Sequence, residues 1–484
     1  MSPQFEHAGP PKEGEIAVSP TASDISNHIV DWDGDDDPAN PMNWSKARKI
    51  TIIALVSFAS CNDAVASSLF APSVPGIMEE FHETNPAISP FLISVHTIGF
   101  ATGPVFFSPL SEIYGRCPIL YASNVLSFVA AILCAVSVDI PMLAIARIIL
   151  GFAGSVPFVL GGGVIADMIP LERRGRSIAL LSTGTLLHVL TDWAGPVLGG
   201  YMALGAGWRW TFWLATITIG CCTVLSFVLL RETYAPVLLK KKAWRLGIAK
   251  ELINSETTGQ ALRKAFTRSI KLVFQTPIVA ILTVYNGISY AYFYFLITTF
   301  PSLYGELYGF NTGEIGLTYL GISAGFLVGQ LTIGPFTDWY IKRQKTVHGK
   351  AQPEDRLPPM VLGHIALAVG MFWYGWSAQV RTHWIVPILG SVVVSLGIIV
   401  NAIVVVAYLV DTFTVYAASA VAINNLFKAT FGAFLPMTGP SMYGRLGYGW
   451  GNTTLGLIVL VLTPTTLLVM KYGEKIRHRY PVDL

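Results

Sequence analysis

Apolar residues fill a dozen stretches between residues 50 and 471, each parted from the next by polar residues. A helix needs about 20 apolar residues to cross the hydrocarbon core of a bilayer, and these stretches reach that length. Only helices and closed barrels satisfy their backbone groups in lipid, and continuous apolar runs of this length read as helices. The pattern predicts spans at 50–71, 88–110, 118–138, 141–166, 177–203, 209–230, 277–300, 314–336, 359–380, 384–410, 417–440 and 451–471. A longer polar stretch, 232–276, carries Lys240, Lys241 and Lys242 and an amphipathic helical pattern. It divides the chain six plus six. The expected organisation is a disordered tail (1–45) with an acidic run from Asp31 to Asp37, a six-helix half (46–231), the central loop (232–276), a second six-helix half (277–471) and a short tail (472–484). The fold class is an all-α membrane protein.

Composition sharpens this picture. Only 13% of the 484 residues are charged, about half the share in soluble domains. The net charge of +3 is too small to argue for nucleic acid. Cys61, Cys117, Cys134, Cys221 and Cys222 lie in or beside apolar stretches without metal spacing, so they read as small buried residues. No metal and no cofactor are expected. The polar start has no early apolar region, so no cleaved signal peptide is expected. With the N-terminus inside, the loops on the outside carry only Arg209, Arg381 and Arg445. That bias places both termini and the central loop in the cytoplasm.

Charged groups within spans are costly and tend to face an interior cavity. Asp63 lies in span 1, Arg147 in span 4, His188 and Asp192 in span 5 and Lys428 in span 11. Asp63, Arg147, Asp192 and His188 are therefore candidates for proton binding or coupling, with a structural ion pair as the competing reading for Asp63 and Arg147. His96 in span 2 reads as a hydrogen-bonded packing residue. Asn286, Tyr290 and Tyr294 share a face of span 7, and Asn425 and Lys428 lie together in span 11. These five are the substrate-cavity candidates, since such a stripe can stack on an aromatic molecule; helix packing is the competing reading. Chemistry of the covalent kind has no foothold: the chain has no GxxxxGK[ST], GxSxG, HExxH or CxxC, so no enzyme is expected.

Two loops repeat a pattern. Ser108 to Pro118 follows span 2, and Gly334 to Lys345 follows span 8, each with a carboxylate (Glu112, Asp338) before a basic cluster. Glu112 and Arg116 are four apart, the spacing of a helical pair. The stretch Ser108 to Arg116, with Gly115, resembles the loop 2–3 motif of the major facilitator superfamily. Arg147-Ile-Ile-Leu-Gly151-Phe-Ala-Gly154 resembles its span 4 motif. Arg231-Glu-Thr-Tyr-Ala-Pro236, Asp37 to Trp44, Thr299-Phe-Pro301, Tyr308-Gly-Phe310, Arg356 to Met360 and Tyr408-Leu-Val-Asp411 are similar to the fungal 12-span drug:proton antiporters. The resemblance covers about residues 31–475. Ser108 and Cys117 depart from the loop motif. In span 5, Gly195-Pro196 and Gly199-Gly200 match, but His188 to Ala194 stands in place of an earlier Gly-Pro pair. Two readings stay open: a divergence that puts His188 and Asp192 on one face as a proton relay, or a misplaced exon boundary.

The resemblance implies the major facilitator fold and proton-coupled efflux of a small organic molecule by alternating access. Glu112, Gly115, Arg116 and Asp338 are then the candidates for a cytoplasmic latch, with a topogenic charge cluster as the competing reading, and Gly151, Gly154, Gly195, Pro196 and Gly199 those for helix packing or bending. The expected partners are a small-molecule substrate, protons and the bilayer, for a monomer in the plasma membrane. A proton-driven importer of a nutrient or polyamine, and a non-transporting receptor, are the alternatives.

Overall fold

The computed structural model describes residues 31–34, 36–169, 195–246, 267, 271–272, 275–348, 352–413 and 417–479. The long helices are α1 (Lys46–Ser68), α4 (His96–Tyr114), α5 (Arg116–Ala135), α6 (Ile140–Met168), α8 (Arg209–Leu229), α10 (Pro277–Ser302), α11 (Thr312–His348), α12 (Pro358–Gln379), α13 (Ile385–Thr412), α14 (Ala417–Phe434) and α15 (Gly439–Arg479). Shorter helices are α2 (Val74–Glu80), α3 (Ile88–Ser94), α7 (195–206) and α9 (Ala235–Arg245). No strand occurs among the described residues.

Local chemistry sets the helix ends. Ser45 accepts from the Arg48 amide at the start of α1, and Asp139 accepts from Met142 at 2.7 Å at the start of α6. A side-chain oxygen there satisfies an amide that the helix leaves unpaired. Gly115 has φ +102 and ψ 162, which ends α4 and lets α5 begin at Arg116. Gly447, at φ +70, breaks α15 into a short helix and the last span. Most helices end within a few residues of the expected spans, while α11 and α15 outrun theirs. In particular, α11 continues through Gly334 to His348, so Asp338 lies within a helix rather than a loop.

Five helix pairs form the first half: α5 with α6, α5 with α8, α4 with α6, α1 with α6 and α1 with α8. Six spans later the same five recur: α12 with α13, α12 with α15, α11 with α13, α10 with α13 and α10 with α15. Small residues permit the close approaches. A Cβ added to Gly99 of α4 would lie 1.9 Å from the Ile148 carbonyl oxygen of α6, and one on Gly325 of α11 would lie 2.2 Å from that of Val392 on α13. Val228, Leu362 and Val461 are more than half exposed, as lipid-facing side chains are in a membrane bundle.

The two halves touch at the end away from the basic clusters. Ser94 donates to the Ala433 carbonyl at 2.8 Å. A Cβ at Gly316 of α11 would meet the Pro196 carbonyl of α7 at 2.4 Å, and one at Gly200 would meet that of Thr312 at 2.5 Å. Residues 31–34 and 36–45, expected within a disordered tail, are held in place. Asp37 accepts from the Asp33 and Ala39 amides, Asn43 donates to the Asp37 carbonyl, and Lys242 of α9 reaches the Asp31 carbonyl and the Asp33 carboxylate.

Candidate functional site

A cavity of about 120 Å³ lies between the halves. Ser67, Ser68, Ile93 and Pro196 wall it on one side, and Tyr290, Phe293, Tyr294, Tyr319 and Phe326 on the other. None of the described residues that line it is acidic or basic. The Lys428 ammonium sits 4.4 Å from the centre of the Tyr290 ring, so a cation lies directly behind this aromatic wall. A larger space of about 710 Å³ opens toward the end where the halves meet, lined by Pro72, Pro90, Thr298, Glu306, Tyr443 and Tyr448 among others.

The span 7 stripe divides. Tyr290 and Tyr294 reach the cavity, their rings edge-on at 5.5 Å. Asn286 does not line it; it is buried and donates to Asn424 Oδ1 at 3.0 Å. Asn425 likewise does not line the cavity, and its neighbour Asn424 supplies the contact between α10 and α14. Two adjacent Asn residues on a helix point about 100° apart, and the spacing alone favoured neither.

Asp63 and Arg147 are both buried, as their membrane depth required. Asp63 Oδ1 lies 3.2 Å from His96 Nε2, and both side chains are almost fully enclosed. The span 4 motif explains how they fit. Arg147, Gly151 and Gly154 recur at i, i+4 and i+7, on one face of α6. A Cβ at Gly154 would stand 1.8 Å from Asp63 Oδ1, and one at Gly151 would stand 2.1 Å from the His96 carbonyl. The glycines leave the volume that the acid and the α4 backbone fill. Arg147 is fully buried. Its Nη2 donates to the Ile93 carbonyl at 3.3 Å, and its guanidinium stands over the Phe70 ring at 4.2 Å. Nε and Nη1 have no hydrogen-bond partner among the described residues.

Gly195 and Gly199 of α7 pack on the end of α1, where added Cβ atoms would meet Ser68 Oγ at 2.1 Å and the Leu69 carbonyl at 1.8 Å. His188 and Asp192 lie outside the described residues.

At the basic end each half carries its own charged cluster. In the first, Glu232 caps α5: its carboxylate accepts from the Arg116 and Cys117 amides at 2.9 and 3.1 Å and from those of Thr233 and Tyr234. Gly115 leaves room, since a Cβ there would lie 2.3 Å from Glu232 Oε2. The Arg116 guanidinium binds Asp167 at 3.5 Å and Ser111, and covers the Tyr234 ring. The expected Glu112–Arg116 pair is absent: Gly115 breaks the helix between them and Glu112 is exposed. In the second half, Arg477 grips the buried Glu354 with two bonds, at 2.9 and 2.8 Å, and Arg356 pairs with Asp411. The layout repeats. A residue after the last span of the half holds the loop between its second and third spans, and an Arg of that loop holds an Asp at the end of its fourth. Asp167, Glu232, Glu354 and Arg477 had not been singled out. The Arg231 to Pro236 motif was the available signal for Glu232; no local pattern marked the other three.

A bundle of membrane-length helices, built from two halves around a shared cavity, defines a membrane transporter. The sequence matches the Major Facilitator Superfamily profile over residues 56–436. The chain belongs to that superfamily. It is 44% identical to the MFS-type transporter tndD of Aspergillus flavipes, over 94% of this chain and 86% of that one. It is 40% identical to the MFS transporter cpaT of Aspergillus oryzae (98% and 97%) and 38% identical to the efflux pump radE of Floropilus chiversii (97% and 88%). Among solved structures, the xylose transporter XylE from E. coli, in a partially occluded inward-open conformation, aligns with TM-score 0.66 at 16% identity, over 88% of this chain and 98% of that one. The chain is a multi-pass membrane transporter of a small molecule and not an enzyme.

Proposed function

We propose that the protein exports a neutral or anionic aromatic metabolite in exchange for protons. The observation that carries the substrate class is the cavity between the halves: five aromatic rings, three serines and, among the described residues, no carboxylate, with Lys428 behind Tyr290. Such a wall stacks on a planar molecule and disfavours a polycation, against the polyamine reading. A relative named as an efflux pump supports export.

The contacts support alternating access. The halves meet at one end, through Ser94–Ala433 and α7–α11, while each charged cluster at the basic end stays within its own half. With the basic end cytoplasmic, this arrangement faces inward. Rocking the halves would open the other end and bring the basic ends together. Asp63 and Arg147 are the coupling pair in this reading, with protons moving inward. Gly115, Arg116 and Asp338 act near the closing basic end. The chain works as a monomer in the plasma membrane with both termini inside.

Accumulation of a fluorescein-type dye in pump-deficient yeast tests the reading. Expression should lower accumulation, and a protonophore should abolish the effect. Raised accumulation would mean import. Accumulation that a protonophore leaves unchanged would remove the proton.

A further inference from the structure

We propose that Asp63 and His96 form one proton-binding unit inside the first half, in a compartment separate from the substrate cavity. This rests on the proton-coupled reading above and adds a residue, His96, and a location.

Three observations carry it. First, the pair is sealed: Asp63 Oδ1 and His96 Nε2 are 3.2 Å apart, with side-chain exposures of 6% and 4%. An imidazole against a carboxylate holds either one proton, on neutral histidine, or two, as an imidazolium–carboxylate pair. Histidine is the side chain whose charge ordinarily changes between about pH 5 and 8. Second, Asp63 borders a small chamber of its own. It measures about 10 Å³, close to the least space that holds one water molecule, and sets Asn62, Asn124, Ser127 and Cys222 beside Asp63 among apolar residues such as Leu150 and Ile219. It shares no lining residue with the substrate cavity. Third, one fixed cation stands on the same face of α6 as Gly154. Arg147 lies within electrostatic reach of Asp63.

The charges then account for coupling. With neutral His96, the Asp63 carboxylate balances Arg147. A second proton on the pair leaves Arg147 without a counter-charge. Arg147 donates to the Ile93 carbonyl and lies over Phe70; Ile93 and Ala71 wall the substrate cavity. Proton uptake therefore acts on the cavity through its wall and not by competing for its floor. Among the described residues, the other titratable groups that border the chamber or face Arg147 are Cys222 on α8, Cys134 on α5 and Tyr294 of α10 from the other half; α5 otherwise presents Asn124 and Ser127 to the chamber.

The test counts protons on the purified full chain, with a pH-indicator dye in weakly buffered detergent, between about pH 5 and 8. Asp63→Asn and His96→Gln should each take up one proton fewer than the wild type. The double variant should also lose one, not two, because the pair titrates as a unit. Equal uptake in all four proteins, each shown to melt cooperatively, would overturn the proposal, as would a loss of two in the double variant. Dye efflux with and without a protonophore is measured in parallel. A proton lost in the counts but efflux indifferent to protonophore would sink the coupled-export reading and leave the site. Protonophore-sensitive efflux with unchanged counts would do the reverse.

Discussion

At the residue scale, the two glycines of the α6 motif act by leaving space. An alanine at Gly154 must displace the Asp63 carboxylate, which stands 1.8 Å from the added carbon. Gly154→Ala should cost about 1–3 kcal/mol, the usual cost of overfilling a packed interior. Asp63→Gly in the same chain should recover much of it, as thermal melting in detergent would show; no recovery would mean that the clash lies elsewhere. Asp37 gives a pH-dependent case. The Asp33 and Ala39 amides, and then Lys242, hold its carboxyl below the usual carboxylate range. A depressed folded-state value means the contribution is present above the unfolded value and is lost as pH falls through the folded one. The contact of residues 31–45 with α9 should therefore loosen on acidification below the ordinary carboxylate range, and Asp37→Asn should remove that dependence. Proteolysis of the N-terminal segment across pH reads it. Asp63 and Arg147 were legible in the sequence because a charge within a span is conspicuous. Their surroundings were not: His96 is 33 residues from Asp63, and no local pattern joins them.

At the element scale, most helices begin and end within a few residues of the apolar pattern, because lipid leaves the backbone no alternative to a helix. The pattern could not show helices continuing past the membrane, as α11 does to His348, since polar residues are as helical as apolar ones once the helix is running. Nor could it show that a residue after α8 caps α5. At that junction Gly115 adopts a backbone conformation that side chains resist, and Glu232 fills the space beside it. Gly115→Ala should cost about 1–3 kcal/mol. In the second cluster, Arg477→Met leaves the buried Glu354 carboxylate with one hydrogen bond among the described residues, from the Tyr408 hydroxyl. That should cost about 3 kcal/mol. Adding Glu354→Gln should restore part of it, because the two changes share one contact. Strictly additive losses in melting experiments would contradict the pairing.

At the scale of the whole molecule, the division into six and six spans was visible from the central polar stretch, and the repeated pairing of helices gives it a physical form. The cavity itself was only half legible. Tyr290 and Tyr294 were found from their spacing and Phe293 stands between them on the same helix, but Tyr319 and Phe326 reach the cavity from α11 through packing that no local pattern shows. Movement of the halves should depend on the contact between Ser94 and Ala433. A short reversible cross-link between Cys residues placed at those two positions, with the five native cysteines replaced by serine, should stop transport, and reduction should restore it. Unchanged transport with the link in place would mean that this end does not open.

The most direct measurement is dye movement in proteoliposomes of known orientation under an imposed pH gradient. A fluorescein-type dye should move from the cytoplasmic to the external face only while protons flow the other way. Tyr290→Ala with Tyr294→Ala should weaken its apparent affinity about tenfold or more, given aromatic contacts of about 0.5–1.5 kcal/mol each beyond area burial. Dye moving in the same direction as the protons, or at an equal rate without a gradient, would contradict proton-driven export through this cavity.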